Sequence, residues 1–510
     1  MDTAIGVIGG GAAAIALLHN LSKMTLNNKI TIYLFEKNMS FGPGNAYSTL
    51  DLDSNLLNTK AGYITVFRDK PGDFFRWYLE NYSRFEHQFP KKYTENDYVP
   101  RSLFGLYLKS SMWSSIKQAS QNGIKVIPIN AHVIDINEQV EGQAYILETE
   151  SGEQFAVQHV VLACGTMKRK VSNNEKLGTN LFPDPYPISN LVTKVCKTDS
   201  VAIIGSRLSA IDSVIGLIEN GHCGKITIYS RSGFFPCVRG TQGRYECKFL
   251  NRSTLKELIS LKGKITLLDL LDLFKKELTA YKEENDDQDE QIVFPPTPID
   301  DLGDFLSREI SLAEGPRGWQ AILYNTNHLL GLIWDAIQDE ERNIFFSSLL
   351  AAAISMRVSI PKENAQKLLH YFNEGKIDFV TGNAHVTENI DGGFNITSPN
   401  QIQQADTIIY ATGSPRNIAE ADAPLLTKLI KKGIAAEHQF GGINVDKNHF
   451  VLNQENEANK KFFAIGEIVS GKFLFTSALD IIISQSEKCA HSIKIANAER
   501  YNAYGEGGSL

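Results

Sequence analysis

The chain has 510 residues, too many for one hydrophobic core, so two or more domains are expected. Apolar residues make up 43% and charged residues 21%, the balance of a globular protein, and a net charge of −7 argues against a nucleic-acid surface. No run of eighteen apolar residues occurs and no basic, cleavable leader precedes the first strand, so no membrane partner and a cytoplasmic location are expected. The six cysteines are Cys164, Cys196, Cys223, Cys237, Cys247 and Cys489. They form no Cys-x-x-Cys pair and no zinc spacing, so free thiols and no metal site are expected.

The first forty residues read as a buried strand, a glycine turn (Gly9-Gly10-Gly11), a helix, and a second strand, Ile30 to Phe35, that ends in Glu36. Gly9 allows the tight turn, Gly11 lets backbone approach a pyrophosphate, and Ala14 lets helix and strand pack closely. Glu36, 25 residues past Gly11, stands where a ribose hydroxyl needs an acceptor. Phe41 to Ser48 is a second glycine-rich turn. Leu56 to Tyr63 leads into an aromatic helix at Phe74–Leu79, read as core packing. The loops before that helix are the better site candidates, because a rigid scaffold positions them.

Arg101 precedes a helix running through Trp113, and Lys125–Pro128 is a short strand. Alternation over Ala131–Ile136 and Ala144–Thr149 predicts sheet, and His159 to Thr166 is a buried strand closing on Cys164-Gly165. A second unit opens at Val201: strand, Gly205-Ser206-Arg207, helix, then a strand ending at Arg231. The strand–turn–helix–strand plan therefore occurs twice. From about 250 to 375 the apolar spacing is helical, interrupted by an acidic run at Lys282–Glu290 read as a solvated loop. Asp406 to Ser414 repeats the pattern of Val160–Thr166. Phe462 to Glu467 is a last strand, followed by a helix from about Thr476 to Ile495 and a frayed glycine-rich tail.

This order predicts an α/β protein. A Rossmann-type dinucleotide-binding domain would be made of both chain ends (1–195 and 391–510), with an inserted second nucleotide-binding core (196–250) and a mostly helical part returning to sheet (251–390).

On Phe41–Ser48, Val99-Pro100-Arg101 before Phe104-Gly105, Ile203–Asp212, Tyr229–Pro236, Met356-Arg357 with Ile360-Pro361, and Ala464–Gly466, the chain resembles the two-dinucleotide flavoproteins related to N-hydroxylating flavin monooxygenases. The resemblance implies FAD and NADPH as cofactors. By position, Gly9, Gly11, Ala14 and Glu36 would hold the ADP part of FAD. Gly44 to Tyr47, with Asn58 and Thr59, would approach the flavin. Cys164-Gly165 would form the second crossing near FAD, and Gly466 would sit beside the flavin tail. Gly205, Ser206, Arg207, Ser209 and Ala210 would receive NADPH.

One departure stands out. Arg207 occupies a position where glycine is expected, and it either crowds the pyrophosphate or supplies a positive partner for it. Arg231, after the second strand of that unit, suits a ribose 2′-phosphate. Asn58 is a candidate for the flavin or nicotinamide edge. Lys60 is a candidate for an acidic substrate group, and Arg101 for a phosphate or substrate carboxylate; a solvated lysine and a structural salt bridge are the alternatives. The expected activity is an FAD-dependent, NADPH-consuming monooxygenase acting on a small molecule, at an amino acid or amine nitrogen. A hydride-transferring oxidoreductase without oxygen insertion, and a non-catalytic FAD-bearing scaffold suggested by Arg207, are the alternatives.

Overall fold

A computed structural model describes residues 2–24, 29–139, 144–171, 180–285, 296–389, 392–399 and 401–505. It divides into two compact units. One comprises residues 1–53, 59–170 and 414–510, and the other 54–58 and 171–413.

In the first unit the strand Thr3–Ile8 is apolar and buried on both faces, as a central parallel strand must be. Ile30–Phe35 lies on one side of it and His159–Leu162 on the other, both parallel. The six strands run in the order Phe450–Leu452, Ala458–Ala464, His159–Leu162, Thr3–Ile8, Ile30–Phe35, Ile124–Ile129. Only the outermost pair, Phe450–Leu452 with Ala458–Ala464, is antiparallel. The chain order reverses at Thr3–Ile8, so the carboxyl ends of Thr3–Ile8 and His159–Leu162 flank the crevice where such sheets bind ligands.

The helix Ala12–Ser22 covers one face, and the helix Leu479–Gly505 packs on it, with the Ser486 hydroxyl donating to the Ala13 carbonyl at 3.0 Å. A three-stranded antiparallel sheet (Val133–Glu138, Tyr145–Thr149, Gln154–Val157) closes the other face. The fit is close: a Cβ on Gly6 would meet Leu147 Cδ1 at 2.4 Å.

The second unit repeats this plan. Its five parallel strands run Ile377–Thr381, Ile226–Ser230, Val201–Ile204, Thr407–Tyr410, Leu181–Phe182. A second three-stranded antiparallel sheet (His385–Glu388, Phe394–Ser398, Gln401–Ala405) precedes Thr407–Tyr410, just as the first precedes His159–Leu162. Residues 171–195 and 391–413 were expected in the first unit and belong to the second. Leu181–Phe182 and Thr407–Tyr410 pair into its parallel sheet, and hydrogen-bonded strands cannot be divided between domains.

Among the described residues, eight α-helices, the first Arg252–Lys262 and the last Lys362–Asn373, and the short helices Thr326–Leu329 and Phe345–Leu349 form the helical insert of this unit. The helix Leu267–Asn285 carries the start of the acidic run; its Asp286, Asp287, Asp289 and Glu290, like the tail after Gly505, lie outside the described residues. Three charged side chains organise the insert. Arg317 and Glu309 form a buried ion pair, with Nη1 2.6 Å from Oε2, while Arg317 also donates to the Val238 carbonyl at 2.8 Å. Glu277 is fully buried and accepts four hydrogen bonds from the loop at 245–250.

The first unit buries a histidine. His449 has no exposed surface, stacks on Phe473 with ring centres 4.8 Å apart, and bonds through Nδ1 to the Ala464 carbonyl at 3.3 Å. Burial, reinforced by the Lys488 charge, lowers its pKa to about 3, so the folded chain holds it neutral. The unfolded chain takes up this proton below about pH 6.5, so stability falls as pH drops from there towards 3. Thermal midpoints measured from pH 7.5 to 4.5 are expected to decline with a linkage approaching one proton. A His449→Asn variant, whose side chain tolerates the local φ of +68°, is expected to show a shallower decline. Equal slopes would assign the acid sensitivity elsewhere.

Candidate functional site

The first crevice is built on its glycines. Gly9 has φ +111°, and a Cβ there would lie 2.1 Å from the Ala163 carbonyl oxygen. Its N–H donates to the Phe35 carbonyl at 2.9 Å, and Ala163 N–H donates to Ile8 at 2.8 Å, so the turn is sewn between both neighbouring strands. Gly11 is the N-cap of Ala12–Ser22, with ordinary extended backbone, and the nearest atom to an added Cβ is Gly44 Cα at 4.0 Å. The two glycines thus approach so closely that a Cβ on either would touch the other's Cα, at a helix N-terminus where first-turn N–H groups lack intrahelical acceptors. Ala14 is fully buried, as close helix–strand packing requires.

Glu36 stands at the edge of this turn. Its Oε2 accepts from Gly10 N–H at 3.0 Å and its Oε1 from Asn38 N–H at 3.2 Å, and the Gly10 carbonyl accepts from Gly42 at 2.7 Å. Together these bonds tie both glycine turns to one carboxylate.

The expected second crossing follows Ala163. Cys164 is exposed, and its Sγ lies 3.6 Å from the Ile8 carbonyl. Gly165 has φ +74°. Gly466, after the strand Ala458–Ala464, donates to Gln485 Oε1 at 2.7 Å. Next to it is a residue that the sequence reading passed over. Glu467 is half-buried, and partial burial raises its pKa against the opposing effects of the Thr476 hydroxyl, which donates to Oε2 at 2.8 Å, and of Arg416. A carboxyl directly after the strand-ending glycine was the signal that could have found it.

Tyr47 packs edge-on against Phe104 at 5.1 Å, and burial raises its pKa although the Arg101 charge opposes this. Arg101 is the first residue of its helix, Arg101–Gln121, and both it and Asp480 act electrostatically on Tyr47. A Cβ on Gly105 would strike the Tyr47 carbonyl at 2.0 Å, so this helix and the glycine loop touch through backbone. Lys60, half-buried, is the N-cap of the short helix Ala61–Tyr63. The first unit therefore brings together Gly9, Gly11, Glu36 and Gly44, and separately Tyr47 and Arg101. Asn58 belongs to the second unit, where its carbonyl accepts from Arg239 Nη2 at 3.0 Å.

The second crevice reproduces the first. Gly205 has φ +119°, and a Cβ there would lie 2.3 Å from the Ala411 carbonyl oxygen. Gly205 N–H donates to Tyr229 at 2.9 Å, and Ala411 N–H to Ile204 at 2.8 Å. Arg207 occupies the N-cap place of Gly11 and is exposed, as is Arg231. Ser206 is buried, with its Oγ donating to Ser230 Oγ at 2.9 Å and lying 2.8 Å from the Phe234 carbonyl. Its hydroxyl therefore staples the turn to the neighbouring strand. Ser209 and Ala210 lie in the first turn of the helix Leu208–Glu219.

Residues 6–167 match the family model described as FAD-NAD(P)-binding. No curated protein sequence matches the chain. Among solved structures, the chain is similar to the ornithine N-hydroxylase of Kutzneria sp. 744, described with reduced FAD, NADP+ and L-ornithine, at 12% identity and a TM-score of 0.57, covering 97% of this chain and 99% of that one. It is also similar to L-lysine 6-monooxygenase from Pseudomonas syringae at 15% identity and a TM-score of 0.58, covering 97% and 100%. The reduced form of ornithine hydroxylase from Pseudomonas aeruginosa matches at 14% identity and a TM-score of 0.56, over the same shares. At such identities the likeness is one of fold, and it extends over both α/β units. Among the described residues no helix is long and apolar enough to cross a membrane, and no three His, Cys, Asp or Glu side chains gather as a metal site would need.

Proposed function

We propose that the chain is an FAD-dependent, NADPH-consuming monooxygenase that hydroxylates a small molecule at an amino acid or amine nitrogen. The observation that carries this reading is the close approach of two side-chain-free residues, Gly11 and Gly44. It lies at a helix N-terminus and beside a carboxylate tied to the same turn, and it suits a diphosphate with its adjoining ribose. The fold likeness to proteins described as ornithine and lysine hydroxylases supports the class of reaction.

In this reading Gly9, Gly11, Ala14, Glu36, Gly44, Tyr47, Cys164, Gly165 and Gly466 hold FAD. Gly205, Ser206, Arg207, Ser209 and Arg231 receive NADPH, while Asn58, Lys60 and Arg101 serve the substrate and the flavin edge. Bound FAD would take hydride from NADPH and react with oxygen. The chain's own groups orient and keep protons. Tyr47 keeps its phenolic proton as a donor, and the Glu467 carboxyl, held by the Thr476 hydroxyl, stands beside Gly466. Ser206 leaves only its backbone N–H for a phosphate.

Anaerobic mixing of the flavin-loaded protein with NADPH tests the proposal. It is expected to bleach the flavin, and later admission of labelled oxygen with an amine panel is expected to add one oxygen atom to one substrate. Bleaching without product oxygen would leave a hydride-transferring oxidoreductase, and no bleaching would leave a scaffold. Arg231→Ala is expected to raise KM for NADPH by about 10–100-fold, the worth of a charge-assisted phosphate contact, with KM for NADH unchanged. Equal effects on both cofactors would remove the 2′-phosphate role.

A further inference from the structure

The second unit holds a cleft away from its glycine turn. The cleft has a volume of about 310 Å³, at the lower end of small-molecule sites, which run from about 300 to 1,000 Å³. One wall is the parallel sheet. Ala202, Thr227 and Asp378 are register partners on three adjacent strands, so they stand side by side on one face. Lys225 and Tyr229 flank Thr227 on that face, two residues to either side. The other wall is Gln403 to Ala405, from the last strand of the antiparallel sheet. The Gly205 turn follows the carboxyl end of Val201–Ile204, three residues or about 10 Å beyond Ala202. The cleft therefore opens on the amino-terminal part of the sheet, where the Gly205 crevice does not reach.

The lining is polar but carries no net charge. Lys225 Nζ lies 3.0 Å from Asp378 Oδ2 and donates to the Gly375 carbonyl at 2.7 Å, which leaves one of its three N–H groups. Asp378 keeps its other lone pairs. Burial, reinforced by the Asp378 charge, pushes the Tyr229 phenol up to about 12, so it stays a donor. It donates to Gln403 Oε1 at 2.5 Å and so joins the two walls. The Gln403 amide nitrogen reaches only Gln401 Oε1, at 3.5 Å, the limit of hydrogen-bond distance. An anion would have to displace Asp378 from Lys225, and a cation would have to displace Lys225 from Asp378. A hydroxyl does neither, because it accepts from the ammonium while it donates to the carboxylate. Further hydroxyls answer the Thr227 hydroxyl and the Gln403 amide in the same way. Ala202 and Ala405 add a small apolar surface for the C–H face of a ring.

We propose that this cleft is a binding site for a neutral polyhydroxylated molecule of monosaccharide size, held by the Lys225–Asp378 pair, Thr227 and Gln403 and separate from the Gly205 crevice.

Ligand-observed NMR titration of the intact purified protein tests this with D-glucose and D-galactose against their uronates and 2-amino sugars. The probes share ring skeletons and differ in charge. At least one neutral sugar is expected to bind one-to-one with Kd below about 10 mM, and about three- to tenfold more tightly than its acid and its amine. Thr227→Val removes one hydroxyl from the wall and is expected to weaken that sugar about three- to tenfold. Asp378→Asn leaves the Lys225 charge unpaired and is expected to reverse the preference towards the uronate. Saturating NADP+ is expected to leave the sugar's affinity unchanged. Should Thr227→Val fail to fold, Asp378→Asn carries the test, because that side chain is about half exposed. No saturable binding by either neutral sugar, a wild-type preference for a charged analogue, an unreversed preference in Asp378→Asn, or displacement by NADP+ would each overturn the assignment.

Discussion

A Gly11→Ala protein is expected to fold, purify in normal yield, and carry little flavin. Gly11 has φ −86° and ψ −162°, backbone that alanine adopts without strain, and the added Cβ would meet only Gly44 Cα at 4.0 Å. The cost to the empty chain is that of a poorer N-cap, about 1 kcal/mol. The same Cβ would project at the helix N-terminus assigned to the diphosphate. Overpacking there costs about 1–3 kcal/mol, or about 10–100-fold in flavin affinity. Flavin content after reconstitution, with circular dichroism and thermal midpoint as controls, checks this. Gly9→Ala is the contrast: its Cβ would lie 2.1 Å from the Ala163 carbonyl, on backbone at φ +111°. That variant is expected to lose folded protein rather than flavin alone. A folded Gly11→Ala protein as yellow as the parent would show that this turn holds no diphosphate.

Glu277→Ala is expected to give a large loss of stability in the helical insert of the second unit. The carboxylate of Glu277 accepts from the Tyr245 hydroxyl at 2.7 Å and from the backbone N–H groups of Lys248, Phe249 and Leu250 at 2.8, 2.6 and 2.7 Å. Burial and the nearby carboxylate together raise the Tyr245 pKa, so that phenol remains a donor. Removing Glu277 orphans these donors at once, a loss of about 3–5 kcal/mol if breaking a buried charged network is the guide. For a unit of this size that is a fall of about 10 °C in its thermal transition. Limited proteolysis is expected to open the chain near 245–250. A variant within 2 °C of the parent, about 1 kcal/mol, would mean that water or rearrangement satisfies those groups.

The doubled plan was legible from local pattern. Thr3–Ile8 and Val201–Ile204 are short apolar runs, each followed by a glycine turn and a small-residue helix start, and these features are read from neighbours in sequence. The structure reproduces the correspondence bond for bond, with Gly9 against Ala163 and Gly205 against Ala411. Strand partnership over long separations was not legible. Thr407–Tyr410 resembles His159–Leu162 as a string, yet it pairs with Val201–Ile204, and this moves residues 391–413 into the second unit.

Local residue pattern alone determined that this chain contains two glycine-turn α/β units, and where their turns begin. A turn's demand for glycine, and a buried strand's demand for apolar side chains, are settled within a few residues. Only the tertiary structure decided which side chains are spent. Ser206 staples a strand, Asn58 offers its carbonyl to Arg239, and Glu277 holds a distant loop. Burial and hydrogen bonding join residues far apart in the chain, and no spacing along the sequence records that distance in space.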